Sequence, residues 1–261
     1  MSVVGIYLAV FLHFNHFYEV FIVGLFLVLR HMLGRRISRH TYFTLYCIFV
    51  VAGLIGDLLM GLVITKLWRY NYSHIVEYAT LYTIIYPFAG IVMVQSYLYC
   101  KNIVLKVRAR KKIKPLLSPR DYVAIIILLS ILLAISSYLL LNRFTPLRSL
   151  SFYILASILA LFTLSFYSQL HGHETLIEDI HKSPSKILAT LLLATYANFL
   201  IQEIPNSYGH QWIYTNYPLN NVNFLRIPIV PLLGWSLLLL VPVAGYYLVL
   251  PIRKRKPKHS F

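Results

Sequence analysis

Seven stretches of the chain stay apolar for about 20 residues each, the length a helix needs to cross a bilayer, with short polar segments between them. They fall at 4–29, 41–65, 77–100, 121–141, 151–170, 185–204 and 228–250. The residues between them are too few and too polar for the alternation of a closed barrel, so each is expected to be a helix. The pattern predicts an all-α, polytopic membrane bundle of seven transmembrane helices. The first stretch, MSVVGIYLAVFLHFNHFYE, has no basic leader and no small-residue cleavage site, and His13, Asn15 and His16 interrupt it. It is expected to remain as a span and not to be removed as a signal peptide.

Composition agrees with this reading, since 59% of residues are hydrophobic, 12% are charged and mean hydropathy is +0.69. A formal charge of +16 would point to nucleic acid in a water-soluble chain, so the placement of the 24 Lys and Arg decides. Four lie in 30–40, eight in 101–120, two in 171–186 and five in 251–261, whereas the alternate segments hold only Lys66, Arg69, Arg143, Arg148 and Arg226. Nineteen against five is the positive-inside pattern of an N-out, C-in, multi-pass protein of the cell membrane. The charge is topological, and a nucleic-acid partner is not expected. Contact of the 101–120 run with anionic membrane lipids is expected. Cys47 and Cys100 both fall near inner ends of spans, where a disulfide is not expected.

An internal repeat is the most specific signal. Trp68-x-Tyr70 is followed 17 residues after the Tyr by Pro87-x-x-Gly90, and Trp212-x-Tyr214 is followed at the same distance by Pro231-x-x-Gly234. All four identities share one offset of 144. Spans 1–3 and 5–7 then form a parallel duplication, with residues 1–114 as the first repeat, 115–150 as a linker helix and 151–261 as the second repeat with its basic tail. Trp and Tyr suit the membrane edge, and the two motifs are expected to form an aromatic lip on a shared cavity. Pro87 and Pro231 are read as setting where the next helix resumes.

One acid precedes each motif, Asp57 by eleven residues and Glu203 by nine. A carboxyl near hydrocarbon is costly, about 2.5–3.5 kcal/mol at a span centre, so both are candidate catalytic groups. Held neutral, either could act as a general acid. A neighbouring hydroxyl or Lys66 holding Asp57 in a structural role is the competing reading. In span 1, His13, His16 and Glu19 share one helix face and could ligate a haem or a metal. Glu178-x-x-His181 has the spacing of a carboxylate di-iron ligand pair, but no second copy exists. There is no phosphate-binding glycine motif, no Asp-rich diphosphate site, and no lysine in span 7 for a retinal Schiff base.

An acid on a helix, a W-x-Y at the membrane edge and a proline-led helix, duplicated over Asp57/Trp68/Tyr70/Pro87 and Glu203/Trp212/Tyr214/Pro231, resembles the small integral-membrane lycopene cyclase domain proteins and the related carotenoid hydratases. In the second half Gly209 and Ile227-Pro228-Ile229-Val230-Pro231-Leu232-Leu233-Gly234-Trp235 are similar to the hydratase side. The paired acids of the cyclases are replaced by Ala89 and Gly90, and by Leu233 and Gly234. The resemblance implies an isoprenoid, carotenoid-like lipophilic substrate protonated at a terminal double bond by Glu203 or Asp57. Trp68, Tyr70, Trp212, Tyr214 and Trp235 would be the substrate-binding aromatics, and no cofactor would be needed. The alternative is a hydrophobic subunit of a respiratory cytochrome b or quinone electron-transport complex, with a partner subunit and with haem or quinone near His13 and His16.

Overall fold

The structure is a computed structural model that describes residues 17–34, 37–105, 116–224 and 227–250. Helix α1 is Tyr18–Leu33, and α2 is Arg39–Gly53, which runs on without a break as the π-helical segment Leu54–Ile64. Strand β1 is Trp68–Tyr70. Helix α3, Ile75–Thr80, passes through a second π-helical segment, Leu81–Ile85, into α4, Tyr86–Leu105. Then follow α5 (Pro119–Asn142), α6 (Pro146–Leu170), the short α7 (Leu176–Lys182) and α8 (Pro184–Gly209). The chain closes with β2 (Trp212–Tyr214), β3 (Asn223–Phe224), β4 (Ile227–Pro228) and α9 (Ile229–Leu248).

Among the described residues the fold is all-α apart from two small ladders, and six helical stretches are long and apolar enough to cross a membrane: Arg39–Ile64, Ile75–Val104, Pro119–Asn142, Pro146–Leu170, Pro184–Gly209 and Ile229–Leu248. Of the first expected span, 4–29, residues 4–16 lie outside the described residues, and α1 carries the remaining half. Helix α5 leaves Ile127, Leu128, Ile131, Ile135 and Leu141 exposed. Water would not tolerate so continuous an apolar surface, whereas lipid tails solvate it, which marks a multi-pass membrane protein.

Local signals set the helix starts. Ser38, Ser118, Thr145 and Thr175 each accept a backbone N–H of the first turn. Pro119, Pro146 and Pro184 open α5, α6 and α8, where a missing N–H costs nothing.

Helix α4 packs against α1 and α2, while α9 packs against α6 and α8. The two central helices touch each other, and α4 also packs on α8. Aromatic and aliphatic side chains fill the first group, with Phe17, Phe21, Ile22, Leu45 and Val92 buried together. Tyr97, Phe199, Trp235, Leu239 and Val243 fill the second.

The two motif prolines act differently. Pro231 lies in the first turn of α9, as expected of a residue that cannot donate there. Pro87 does not start a helix, because the span continues through it from Ile75 to Val104. Its ring deprives the Thr83 carbonyl of the usual i+4 donor. The Tyr46 hydroxyl donates to that carbonyl instead, and the preceding residues are wound as π-helix.

Candidate functional site

Strand period explains why each motif spaces its aromatics by two. Residues i and i+2 of a strand share a face, so W-x-Y sends an indole and a phenol the same way and its middle residue the other way. In β1 Trp68 is buried while Arg69 is exposed. The strands pair antiparallel with each other, Trp68 opposite Tyr214, Arg69 opposite Ile213 and Tyr70 opposite Trp212. Flanking bonds match: Thr215 N donates to Leu67 O and Asn71 N to Gln211 O, both at 2.9 Å. Leu67 and Gln211, like Asn71 and Thr215, differ by the same 144 residues as the motifs. So do Lys66 and His210, which both take left-handed backbone, φ 51° and 52°, and turn the chain out of the preceding helix into the strand.

The four aromatics share one face of the ladder, and each pair is aimed at its own buried carboxyl. Asp57, 2% exposed, accepts from the Trp68 indole and from the Tyr70 hydroxyl at 3.0 Å on Oδ1, and from the Tyr82 hydroxyl at 2.9 Å on Oδ2. The Tyr86 hydroxyl stands 2.7 Å from that of Tyr70. Gly61 makes the approach of the indole possible, since a Cβ there would lie 2.1 Å from the Trp68 ring. Glu203, 1% exposed, accepts from the Tyr214 hydroxyl, the Trp212 indole at 3.3 Å and the Trp235 indole at 3.1 Å. All three converge on Oε1, and Oε2 is buried with no hydrogen-bond partner. Asn206 holds β2 in place, donating to Trp212 O at 3.0 Å and accepting from Trp212 N at 3.1 Å.

The sequence-predicted residues therefore assemble into two clusters, Asp57 with Trp68 and Tyr70, and Glu203 with Trp212, Tyr214 and Trp235. The aromatics donate to the acids and pair their strands across the ladder, a tighter role than lining a lip. Lys66 is not the partner of Asp57, for its ammonium lies over the Phe144 ring at 6.0 Å. His13 and His16 lie outside the described residues. Glu19 accepts from the Gln211 amide at 3.2 Å. Glu178 caps α7 through Thr175, and no metal-ligating group of three His, Cys, Asp or Glu occurs among the described residues.

Tyr82 and Tyr86 escaped sequence reasoning because their partners by the 144 offset are Arg226 and Val230, not aromatics. The Tyr18 hydroxyl, which donates to buried Gln202 beside Glu203, gave no signal of any kind.

A third polar cluster sits at the opposite end of the bundle. Asp179 of α7 is paired with Lys101 of α4 and accepts from the Tyr247 hydroxyl of α9. Lys101 also donates to the Tyr247 hydroxyl at 3.0 Å and lies over the Tyr97 ring at 5.4 Å. Burial raises the Asp179 carboxyl, but the charge and hydrogen bond of Lys101, with Tyr247 and Lys182, outweigh it and leave the group below the usual carboxylate range. A depressed acid adds stability above the unfolded value of roughly 3.9 and loses it as pH falls through the lower folded value. Asp179→Asn should lower stability at neutral pH by about 3 kcal/mol, as removal of one partner of a buried pair does, and should flatten acid destabilisation below about pH 4. Melting in detergent across pH checks this, and equal acid profiles for variant and wild type would refute it.

No family model, no curated protein and no solved structure matches the chain.

Proposed function

We propose that the protein is a membrane enzyme that protonates the terminal double bond of an isoprenoid, carotenoid-like substrate, with Glu203 as the proton donor. The observation that carries the reading is the asymmetry of Glu203. Three donors crowd Oε1 and none serves Oε2. This suits a neutral acid whose carbonyl oxygen accepts and whose hydroxyl is free to give its proton. When the proton leaves, the indole and phenol donors are already oriented to stabilise the carboxylate, so the site needs no reorganisation. Protonation of the alkene yields a tertiary carbocation, whose charge aromatic faces stabilise. Water adds to it, and the proton released returns to Glu203.

Hydration is favoured over ring closure, because the positions of the cyclase acids hold Ala89 and Gly90 and a Cβ on Gly90 would lie 2.5 Å from the Phe49 ring. Asp57, with both oxygens occupied, is assigned to positioning β1. Expression in cells that accumulate an acyclic carotenoid, with mass analysis of the pigments, tests the activity. A product one water heavier is expected. Unchanged pigments together with a haem absorption band in the purified protein would replace this reading with the electron-transfer one.

The same reading takes the two halves as a duplication with seven spans. The left-handed pair Lys66 and His210, the ladder register and the like packing of α4 and α9 within their triplets support it. The basic segments support an N-out, C-in orientation. A cysteine reporter placed after Phe261 should resist an impermeant thiol reagent in intact cells and react after lysis. Labelling in intact cells would invert the topology.

A further inference from the structure

We infer that the cleft between α1 and α2 binds the phosphate group of an anionic phospholipid. The cleft, about 690 Å³, is lined by Arg30, His31, Gly34, Ser38 and Arg39 with apolar Leu27 and Ile37. It lies at the start of α2, the end of that span remote from the W-x-Y ladder, so it is separate from both carboxyl clusters.

Three features assign its ligand. First, the lining has three basic side chains and no acid, and no Asp or Glu occurs between Glu19 and Asp57, so the field is uncompensated and favours an anion. Second, Arg30 is presented on a built platform. Its guanidinium lies 5.6 Å over the Tyr42 ring, which packs edge-on against Phe26 and whose hydroxyl accepts from the fully buried Gln95 amide at 3.0 Å. An arginine held in this way loses less freedom on binding, and its planar fork matches phosphate oxygens. Third, the cations adjoin apolar skin. Leu27, Val28 and Met32 of α1 and Phe43 of α2 are exposed, a surface suited to acyl chains directly beside a charged recess. Free phosphate has no use for that surface, and a phospholipid has.

The Ser38 hydroxyl already caps α2 through Thr41 N at 3.0 Å, so the arginines and not the helix end supply the attraction. Each contributes about fivefold in affinity, the effect of one basic residue near an anionic membrane.

Native mass spectrometry of the full chain in non-ionic detergent, with equal dioleoylphosphatidylglycerol and dioleoylphosphatidylcholine, tests the inference. Phosphatidylglycerol should be retained at least about tenfold over phosphatidylcholine. The Arg30→Gln/Arg39→Gln double variant should lose nearly all of that preference, two fivefold contributions multiplying to about twenty-fivefold, while exposed Arg143→Gln should keep it. If the double variant does not accumulate, Arg39→Gln alone carries the expected fivefold loss. Equal retention of the two lipids, or undiminished retention by the arginine variants, would overturn the site. Displacement of the glycerophospholipid by millimolar inorganic phosphate would reassign it to a free anion. None of these outcomes depends on the carotenoid assay.

Discussion

Glu203→Gln is expected to lower the rate of the proposed hydration by on the order of 10²–10⁴, the usual contribution of a positioned general acid. The amide keeps size and keeps an oxygen for the Trp212, Tyr214 and Trp235 donors, yet has no acidic proton to give. Stability should fall by about 1–3 kcal/mol, because Oε2 makes no hydrogen bond in the folded chain and the amide buries one more unpaired N–H there than the neutral acid does. Pigment turnover and melting temperature measured on the same preparation separate the two effects. A variant that is stable and still fully active would remove Glu203 from the chemistry. His171→Ala, an exposed residue of the α6 end, serves as the control that should spare turnover.

Asp57→Ala is expected to behave in the opposite way, with its main effect on folding. Both carboxylate oxygens are engaged, and truncation strands the Trp68 indole and the Tyr82 hydroxyl, while the Tyr70 hydroxyl keeps Tyr86. At about 1–3 kcal/mol for each of these two buried donors left without a partner, the loss should reach about 2–6 kcal/mol, enough to reduce the yield of folded protein sharply. Asp57→Asn retains Oδ1 as an acceptor and should cost about 1 kcal/mol. Thermal denaturation monitored by size-exclusion profile distinguishes them. If Ala and Asn variants melt together near wild type, the Asp57 cluster does not hold β1.

The contrast between the two acids could not be read from sequence, where each is a single carboxyl upstream of W-x-Y. Their spacings also differ, Asp57 lying nine residues before Lys66 and Glu203 seven before His210. The structure resolves that mismatch through helix type. Leu54–Ile64 is π-helical, with Thr65 N bonded to Met60 O. A π-helix takes more residues per turn than an α-helix, so nine residues of the first and seven of the second both come to about two turns. Each acid therefore reaches the same level beneath its strand.

Sequence by itself determined six of the spans, the charge alternation and the aromatic pairs, because hydrophobic length, the positive-inside bias and the two-residue strand period are local properties of the chain. The antiparallel meeting of W-x-Y with W-x-Y was decided only in three dimensions, by two left-handed residues that are neither glycine nor asparagine, Lys66 and His210. So were the third donors, Tyr82, which carries no sequence signal, and Trp235, singled out only by resemblance as a substrate-binding aromatic; they come from helices 25 and 32 residues beyond their acids and follow no common offset. The Lys101–Asp179–Tyr247 cluster was equally hidden. A buried polar group must find its partner wherever packing brings one within reach, and that reach is set by the tertiary fold and not by neighbours in the chain.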